Sequence, residues 1–308
     1  MEQPRTLLEA VRMFKDPATA EDYFARLRWR AVVACPRTDC GSVSVAHLPK
    51  YRRWYCNDCK RQFSVKTGTI FEESPIGFDK WLPALWMLSA DRNGISSCEL
   101  ARALGVTQKT AWFMLHRIRL AMETGTFTKL FGEVEIDEAY IGGKPRHRGP
   151  GPTGTKSQGP RSGGKAIVLG FRQRGGHVRA MVIDNVRRTT LLPKIREHVV
   201  PGSIVYTDSL SAYYDARELY SHFTVNHAYE YVRGNVHTNT IESFWSVLRR
   251  TLRGTYVAPR PWHLQRYLDE QIFRFNRRDE KDGPRFVQTA KASEGKRITY
   301  KQLIARQR

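Results

Sequence analysis

Apolar positions follow helical spacing in the first part of the chain and strand-like alternation after Phe131. Helical periodicity covers residues 1–34 and returns between Phe78 and Glu123. Five short runs then predict strands: VEIDEAYIGG, KAIVLGFRQ, HVRAMVID, SIVYTD and HFTVNH. Helices are predicted over Arg188 to His198, Thr240 to Thr251 and Trp262 to Arg277. This order mixes hairpins with a crossover and predicts an α/β domain around one sheet.

The segment between residues 78 and 124 has the layout of a helix-turn-helix. Ser96 or Ser97 can cap its first helix, with Glu99 close behind, and Gly105 stands where that helix must stop. Thr107 can cap a second helix, which would enter the major groove of DNA. A helical hairpin with no DNA-reading role is the alternative. The candidate DNA contacts on the second helix are Lys109, Arg117 and Arg119.

Four of the five cysteines form two close pairs, Cys35 with Cys40 and Cys56 with Cys59. Such spacings are typical of zinc knuckles, and residues 35–65 are too few to fold on a hydrophobic core alone. We therefore predict a structural zinc site with four thiolate ligands, against the alternative of free cysteines that happen to cluster. Cys98, inside the first helix of the helix-turn-helix, is predicted to be a small core residue.

Charge points to a polyanionic partner. Lys and Arg number 51 against 30 Asp and Glu, a formal net charge of +21, and neutralising phosphates releases counterions. A basic enzyme with no nucleic-acid role stays open on charge alone. The longest apolar stretch, near Leu82 to Ala90, is too short to cross a bilayer, and the N-terminus lacks the layout of a signal peptide. We expect a cytoplasmic protein without membrane attachment.

Three acidic residues stand where neighbouring elements can bring them together. Asp137 lies in the first predicted strand, Asp208 closes the fourth, and Glu242 opens a helix. Three converging carboxylates repel one another unless cations compensate, and Mg²⁺ prefers oxygen ligands. Glu135 shares a strand face with Asp137, so it is either a ligand or a neighbour. Glu138, on the opposite face, and Asp184, at the end of the third strand, are weaker candidates.

Basic residues accompany this acidic trio. Arg249 lies seven positions after Glu242, two helical turns on, where it can hold DNA or remain a solvated charge. His237, a further candidate DNA contact, precedes the helix and either touches the site or caps the helix. Residues 142–164 contain eight glycines and four prolines, which makes regular structure improbable. This insertion is either a clamp on DNA or an ordinary disordered segment.

Several motifs resemble bacterial insertion-sequence transposases of the ISXO type. They are CPRTDCGS, YCNDCKRQFSVKTGTIFEESPI, the helix-turn-helix, VEIDEAYIGGK, YTDSLSAY, HTNTIESFWSVLRR and HLQRYLDEQIFRFNRR. The resemblance implies an RNase H-like catalytic fold in which Asp137, Asp208 and Glu242 bind two Mg²⁺ or Mn²⁺ ions. The first cysteine pair departs from the family pattern, with four intervening residues rather than two, and the glycine-proline insertion is longer than such enzymes need.

The resemblance also implies an order of domains. An N-terminal helical segment (1–34) precedes the zinc ribbon (35–65), the helix-turn-helix region (78–124), the catalytic domain (130–280) and a basic C-terminal tail (281–308). The implied activity is binding of terminal inverted repeats, strand cleavage that frees a 3′-hydroxyl, and attack of that hydroxyl on target DNA, by a homo-oligomer. Two alternatives stay open, a DNA-binding regulator without catalysis and a metal-dependent nuclease that does not join strands.

Overall fold

The computed structural model describes residues 3–123, 128–142, 165–225, 236–257 and 259–305. The chain divides into two compact units. The first unit comprises Met1–Glu123 together with Arg277–Arg308, and the second comprises Thr124–Asn276. Apart from Gly142, the predicted insertion 142–164 lies outside the described residues.

The first unit combines a helical core with a small antiparallel sheet. Its elements are α1 (Leu7–Phe14), α2 (Pro17–Arg28), β1 (Val45–Leu48), β2 (Arg53–Cys56), β3 (Gln62–Phe63), α3 (Phe78–Ala90), α4 (Ser97–Leu104) and α5 (Gln108–Met122). The sheet order is β1-β2-β3. Aromatic rings fill the core around α3, since Phe24 and Phe71 both pack on Phe78, at centroid distances of 4.9 and 5.1 Å.

The predicted caps of α4 and α5 are confirmed. Ser96 and Glu99 form a capping box at the start of α4, and Thr107 accepts from the amide of Thr110 at the start of α5. Gly105 ends α4 with a φ of 61°, a left-handed conformation that favours glycine. The prediction that Cys98 is a core residue is wrong, because it is exposed on α4.

The segment predicted as a basic tail contributes two further helices to the first unit, α9 (Asp282–Lys291) and α10 (Tyr300–Ile304). The amide of Ile70 donates to the carbonyl of Ser293, just beyond α9. Lys296 donates to the carbonyls of Leu120 and Glu123 at the end of α5. A lysine there offsets the negative end of the helix dipole, so the C-terminal segment stabilises α5.

The second unit is built around a five-stranded mixed sheet. Its elements are β4 (Glu133–Ile141), β5 (Ala166–Gln173), β6 (Val178–Ile183), α6 (Arg188–His198), β7 (Ile204–Asp208), β8 (Ser221–Val225), α7 (Asn239–Gly254) and α8 (Leu264–Asn276). A 3₁₀ helix, Ser211–Glu218, joins β7 to β8. The order is β6-β5-β4-β7-β8, antiparallel from β6 to β4 and parallel from β4 to β8. The predicted α/β architecture is confirmed.

Alternation along β4 separates two hydrophobic layers. Val134 and Ile136 face a cluster that includes Leu191 and Ile195 of α6, whereas Ala139 belongs to a cluster formed with α7 and α8. Both faces of the sheet are therefore covered, and among the polar side chains of β4 Glu135 is buried whereas Asp137 and Glu138 are partly buried. No helix in the described ranges is long and apolar enough to cross a membrane.

Candidate active site

The parallel pairing of β4 with β7 brings two of the predicted carboxylates side by side, at the point where β7 ends. Glu135 lies opposite Tyr206 in this ladder. Continuing the same register by two residues places Asp137 beside Asp208, where β7 ends. Glu242 lies in the first turn of α7, which packs on β4. Two strands and one helix thus bring Asp137, Asp208 and Glu242 near one another.

Asp137 is held by a tryptophan from α7. The indole N–H of Trp245 donates to Asp137 Oδ2 at 2.9 Å. The ring reaches this carboxylate by crossing Gly170, which lies opposite Asp137 in the β4–β5 ladder. A Cβ on Gly170 would lie 2.6 Å from Trp245 Cη2 and closer still to Cζ2. Glycine is therefore required at residue 170 for the indole to contact Asp137.

The acidic residues perturb one another. Burial, together with the negative charges of Asp208 and Glu242, raises the pKa of Asp137 to about 6 against the hydrogen bond from Trp245. Burial and the charges of Asp208 and Asp137 raise the pKa of Glu138 to about 8, although the Tyr213 hydroxyl donates to it. Ionising these carboxyls together costs free energy, which a divalent cation would offset. The oxygen-only donor set fits Mg²⁺ or Mn²⁺.

Glu242 is the most exposed of the three carboxylates, and Asp208 is partly buried. Asp208 Oδ1 accepts from the amide of Leu210 at 3.0 Å, which fixes the carboxylate at the end of β7. Glu242 is exposed, and Thr238 Oγ1 lies 3.4 Å from its Oε1. Among the described residues, only the cysteine group described below brings three or more potential ligand atoms within 4.8 Å of one another. The three carboxylates are therefore neighbours that do not all lie within 4.8 Å of one another.

Glu135 has a different environment from Asp137, although both lie on the same face of β4. Its side chain is fully buried, and its Oε2 accepts from the amides of Thr240 and Ile241 at 2.9 and 3.0 Å. Arg174 donates to its Oε1 at 2.9 Å, and His237 Nδ1 lies 3.3 Å from the same oxygen. Glu135 thus caps α7, and His237 contacts this buried cluster.

Arg249 lies on the exposed face of α7 that begins at Glu242. It lines a groove of about 620 Å³. The residues that line this groove are Ser246, Arg249, Arg250, Arg253 and Gly254. Three guanidinium groups without an acidic neighbour in the lining make this a strongly basic surface, in line with the predicted placement of Arg249 on the Glu242 face.

The three basic residues predicted on the second helix of the helix-turn-helix have different environments. Lys109 is exposed near the start of α5, with its Nζ 4.7 Å from the ring centre of Tyr300. Arg117 is 5% exposed and donates to the carbonyl of Glu72, and Arg119 is 1% exposed. The sequence predicts that Arg117 and Arg119 face DNA, but the structure buries both. The reason is that the first unit packs around the C-terminal half of α5.

The four paired cysteines form a cluster in the first unit. Their sulfur atoms lie within 4.8 Å of one another, with Cys35 to Cys59 at 3.8 Å and Cys40 to Cys56 at 3.6 Å. Tetrahedral Zn–S bonds of about 2.3 Å give sulfur–sulfur edges of about 3.8 Å. The turn after each pair has a left-handed residue, Gly41 with φ 65° and Lys60 with φ 57°. This geometry fits a four-coordinate metal ion.

Comparisons with known proteins link this chain to transposable elements. Residues 129–276 match the family model for the ISXO2-like transposase domain. An uncharacterized protein in transposable element ISH50 of Halobacterium salinarum is 32% identical over 257 residues, which cover 79% of this chain and 85% of that protein. This chain belongs to the ISXO2-like transposase family. The matched residues 129–276 contain Asp137, Asp208 and Glu242.

Two further matches are weaker: one covers a smaller part of the chain, and the other has a lower sequence identity. An uncharacterized transposase-like protein of Haemophilus influenzae is 41% identical over 101 residues, 32% of this transposase and 80% of that protein. The crystal structure of a pre-cleavage Mos1 transpososome covers 67% of this transposase and 76% of that chain, at 14% identity and a TM-score of 0.27. A score this low does not establish a shared fold.

Sequence reasoning about this transposase missed Trp245 and Gly170. Trp245 reads as a core aromatic of an amphipathic helix, and its ring is indeed buried. Its role depends on the indole N–H, which reaches a carboxylate on a distant strand. The one available signal was the glycine inside the predicted strand KAIVLGFRQ, since glycine within a strand often marks a close approach.

Proposed function

We propose that this transposase binds the terminal inverted repeats of an insertion sequence and catalyses metal-dependent cleavage and strand transfer into target DNA. Asp137, Asp208 and Glu242 serve as the metal ligands. The observation that carries this proposal is that these three carboxylates lie near one another beside the end of β7. All three belong to the family-matched residues 129–276. An RNase H-like classification of the second unit is part of the same proposal.

The chemistry requires little from the protein beyond alignment and charge. When bound, two divalent cations supply an activated nucleophile and a stabilised leaving oxygen for in-line displacement. Asp137, fixed by Trp245, and Asp208, fixed by the Leu210 amide, offer carboxylate oxygens at defined positions. Glu242 approaches from the helix on the open side. Cleavage adds water across a phosphodiester and frees a 3′-hydroxyl, which then replaces the 3′-oxygen of a target phosphodiester.

The basic groove on α7 is proposed to bind the part of a DNA strand that extends away from the three carboxylates. Arg249 and Arg253 are separated by about one helical turn and continue the Glu242 face. Guanidinium groups bind phosphate oxygens with a planar fork of donors, so a row of them suits a phosphodiester backbone. Arg250 lines the same groove. The insertion 142–164 remains a proposed clamp on target DNA.

Replacing both Arg249 and Arg253 by alanine should weaken DNA binding and reduce its salt dependence. Each lost phosphate contact lowers the slope of log K against log salt by about 0.9. The double variant should therefore lose about two units of slope in a fluorescence anisotropy titration. Arg196→Ala, which removes an exposed arginine from α6, is the matched control and should keep the wild-type slope. An unchanged slope in the double variant would show that the groove does not contact DNA phosphates.

End recognition is proposed to lie in the first unit. Zinc held by Cys35, Cys40, Cys56 and Cys59 fixes the ribbon, and the exposed start of α5, with Lys109, offers the surface that a recognition helix presents to base edges. Two element ends must be paired for joining, so a homo-oligomer on DNA is part of the proposal.

Metal binding should change how the stability of the second unit depends on pH. Asp137 and Glu138 have pKa values raised from 3.8 and 4.5 to about 6 and about 8. A raised pKa means that the folded state gains stability from the protonated group, and this gain is lost as pH rises through the folded value. The zinc-loaded protein without Mg²⁺ or Mn²⁺ should therefore lose stability between about pH 4 and pH 8.

Saturating Mn²⁺ should restore this stability, with a larger rise in the thermal midpoint at pH 8 than at pH 5. The Asp137→Asn/Glu138→Gln double variant controls for all other titrating groups, and its metal-free stability should fall less between these pH values. Equal pH profiles for the zinc-loaded wild type and the double variant would show that these carboxyls are not the groups that resist ionisation.

The proposed function is tested by supplying DNA that carries the element ends. With Mg²⁺ or Mn²⁺, the proposal predicts strand cleavage at the ends and a joined product with target DNA. Substrates that already carry a free 3′-hydroxyl at the end should join without prior cleavage. Cleavage with no joined product would indicate a nuclease, and end-specific binding without cleavage would indicate a regulator.

A further inference from the structure

We infer that Glu135 and Trp245 are positioning residues that fasten α7 to β4 at two points and so set the separation between Asp137 and Glu242. This inference rests on the proposed function, because it concerns the geometry of the proposed metal ligands. Neither residue is proposed to touch metal or DNA. Each acts through an element that carries a ligand.

The first point of attachment is the N-terminus of α7. Glu135 Oε2 accepts from the amides of Thr240 and Ile241 and from Thr240 Oγ1, the last at 2.7 Å. These donors directly precede Glu242. Glu135 itself lies two residues before Asp137 on the same face of β4. One buried carboxylate thus joins the strand that carries Asp137 to the turn that carries Glu242.

The charge of Glu135 suits this position. The N-terminus of a helix has a partial positive charge and unsatisfied amide donors, which a carboxylate satisfies. Arg174 balances that charge, contacting Glu135 Oε1 at 2.9 Å and the carbonyl of His237 at 3.0 Å. Both oxygens of Glu135 therefore face donors. A glutamine would turn its amide group toward one of these two sets of donors, so it cannot replace the carboxylate.

The second point of attachment lies one turn further along α7. Trp245 follows Glu242 by three residues and donates its indole N–H to Asp137 Oδ2. Its ring, 1% exposed, crosses Gly170 on β5. The hydrogen bond fixes one oxygen of Asp137. Together the two attachments prevent α7 from sliding or rotating on the sheet, which would change the distance between the two carboxylates.

Residues that orient metal ligands commonly change metal affinity or activity by about 10- to 100-fold when replaced. We expect Glu135→Gln and Trp245→Phe to weaken Mn²⁺ binding to the zinc-loaded full chain within this range. Binding is measured from free Mn²⁺ by electron paramagnetic resonance, and Asp208→Asn defines which part of the binding belongs to the acidic trio. Glu133→Gln is the matched control, because Glu133 also pairs with Arg174, at 2.7 Å, and accepts from the Tyr206 hydroxyl.

Two more conservative variants keep the test decisive if Glu135→Gln does not fold. Thr240→Val removes one donor to Glu135 and leaves the backbone amides, and Trp245→Phe keeps a ring while deleting the N–H. Circular dichroism and thermal unfolding identify variants that fold. Among these, weakened Mn²⁺ binding with retained Glu133→Gln affinity supports the positioning role.

The possible outcomes distinguish failure of the positioning role from failure of the proposed metal site. If Asp208→Asn removes none of the Mn²⁺ binding that the wild type shows, the metal site itself is contradicted, and the positioning role with it. Wild-type binding that Glu135→Gln, Trp245→Phe and Thr240→Val all leave unchanged would overturn the positioning role alone. Equal weakening in Glu133→Gln would also overturn it, since the effect would then follow from disturbing Arg174.

Discussion

Asp208→Asn should reduce end cleavage by about a thousand-fold or more while leaving end-specific DNA binding nearly intact. Metal coordination contributes several kcal/mol to phosphoryl transfer, and each factor of ten in rate corresponds to about 1.4 kcal/mol. Asparagine keeps the size of the side chain and can still accept from the Leu210 amide. The loss should therefore reflect a missing charge at the metal site. Single-turnover cleavage of labelled end DNA measures the rate, and anisotropy measures binding.

Glu138→Gln is the matched control for this variant. Glu138 is also a carboxyl close to Asp137, but it lies on the opposite face of β4, accepts from the Tyr213 hydroxyl and is not one of the proposed metal ligands. A neutral amide should therefore replace it with cleavage largely retained. If Glu138→Gln abolished cleavage and Asp208→Asn did not, the ligand assignment would have to exchange these two residues. Equal loss of binding and cleavage in Asp208→Asn would assign it a structural role.

Cys56→Ser should release zinc and unfold residues 35–65 together with the loss of end-specific binding. Apparent binding energies for structural zinc reach about 10–16 kcal/mol in small zinc domains, so metal and fold are lost together. The residues packed around the sulfur atoms, among them Trp54 and Phe63, form a core too small to replace the metal. Inductively coupled plasma mass spectrometry gives the metal content, and limited proteolysis reports the fold.

Cys98→Ser controls for the removal of a thiol. Cys98 is exposed on α4 and lies outside the four-cysteine cluster. This variant should keep full zinc content and end-specific binding. A Cys56→Ser protein with one zinc ion per chain and wild-type end binding would contradict the four-cysteine site.

Local sequence features predicted much of the second unit. The bounds of α6, residues 188–198, agree with the structure, and the five strands lie where alternating apolar runs predicted them. Such agreement is expected where period and capping act within a few residues. The positions of Asp137 within β4, Asp208 at the end of β7 and Glu242 in the first turn of α7 follow from the same local information. The order of the sheet adds that β4 and β7 are direct neighbours.

The features that escaped prediction depend on contacts between distant parts of the chain. The alternation of β4 places Glu135 on the face of Asp137, but only the packing of α7 shows that its carboxylate caps a helix. Arg117 and Arg119 occupy a helix that looks like a recognition helix, and yet the surrounding first unit buries both. The part of that unit that comes from Arg277–Arg308 has no local sequence signal that links it to the N-terminal residues.

Asp208→Cys decides whether Asp208 binds a catalytic divalent cation. Thiolate is a softer ligand than carboxylate, and Mn²⁺ accepts it more readily than Mg²⁺ does. We predict that Asp208→Cys fails to cleave end DNA in Mg²⁺ and recovers cleavage in Mn²⁺, while Asp208→Asn recovers in neither. Cleavage by Asp208→Cys that is equally poor, or equally good, in both metals would contradict a catalytic metal ion at Asp208.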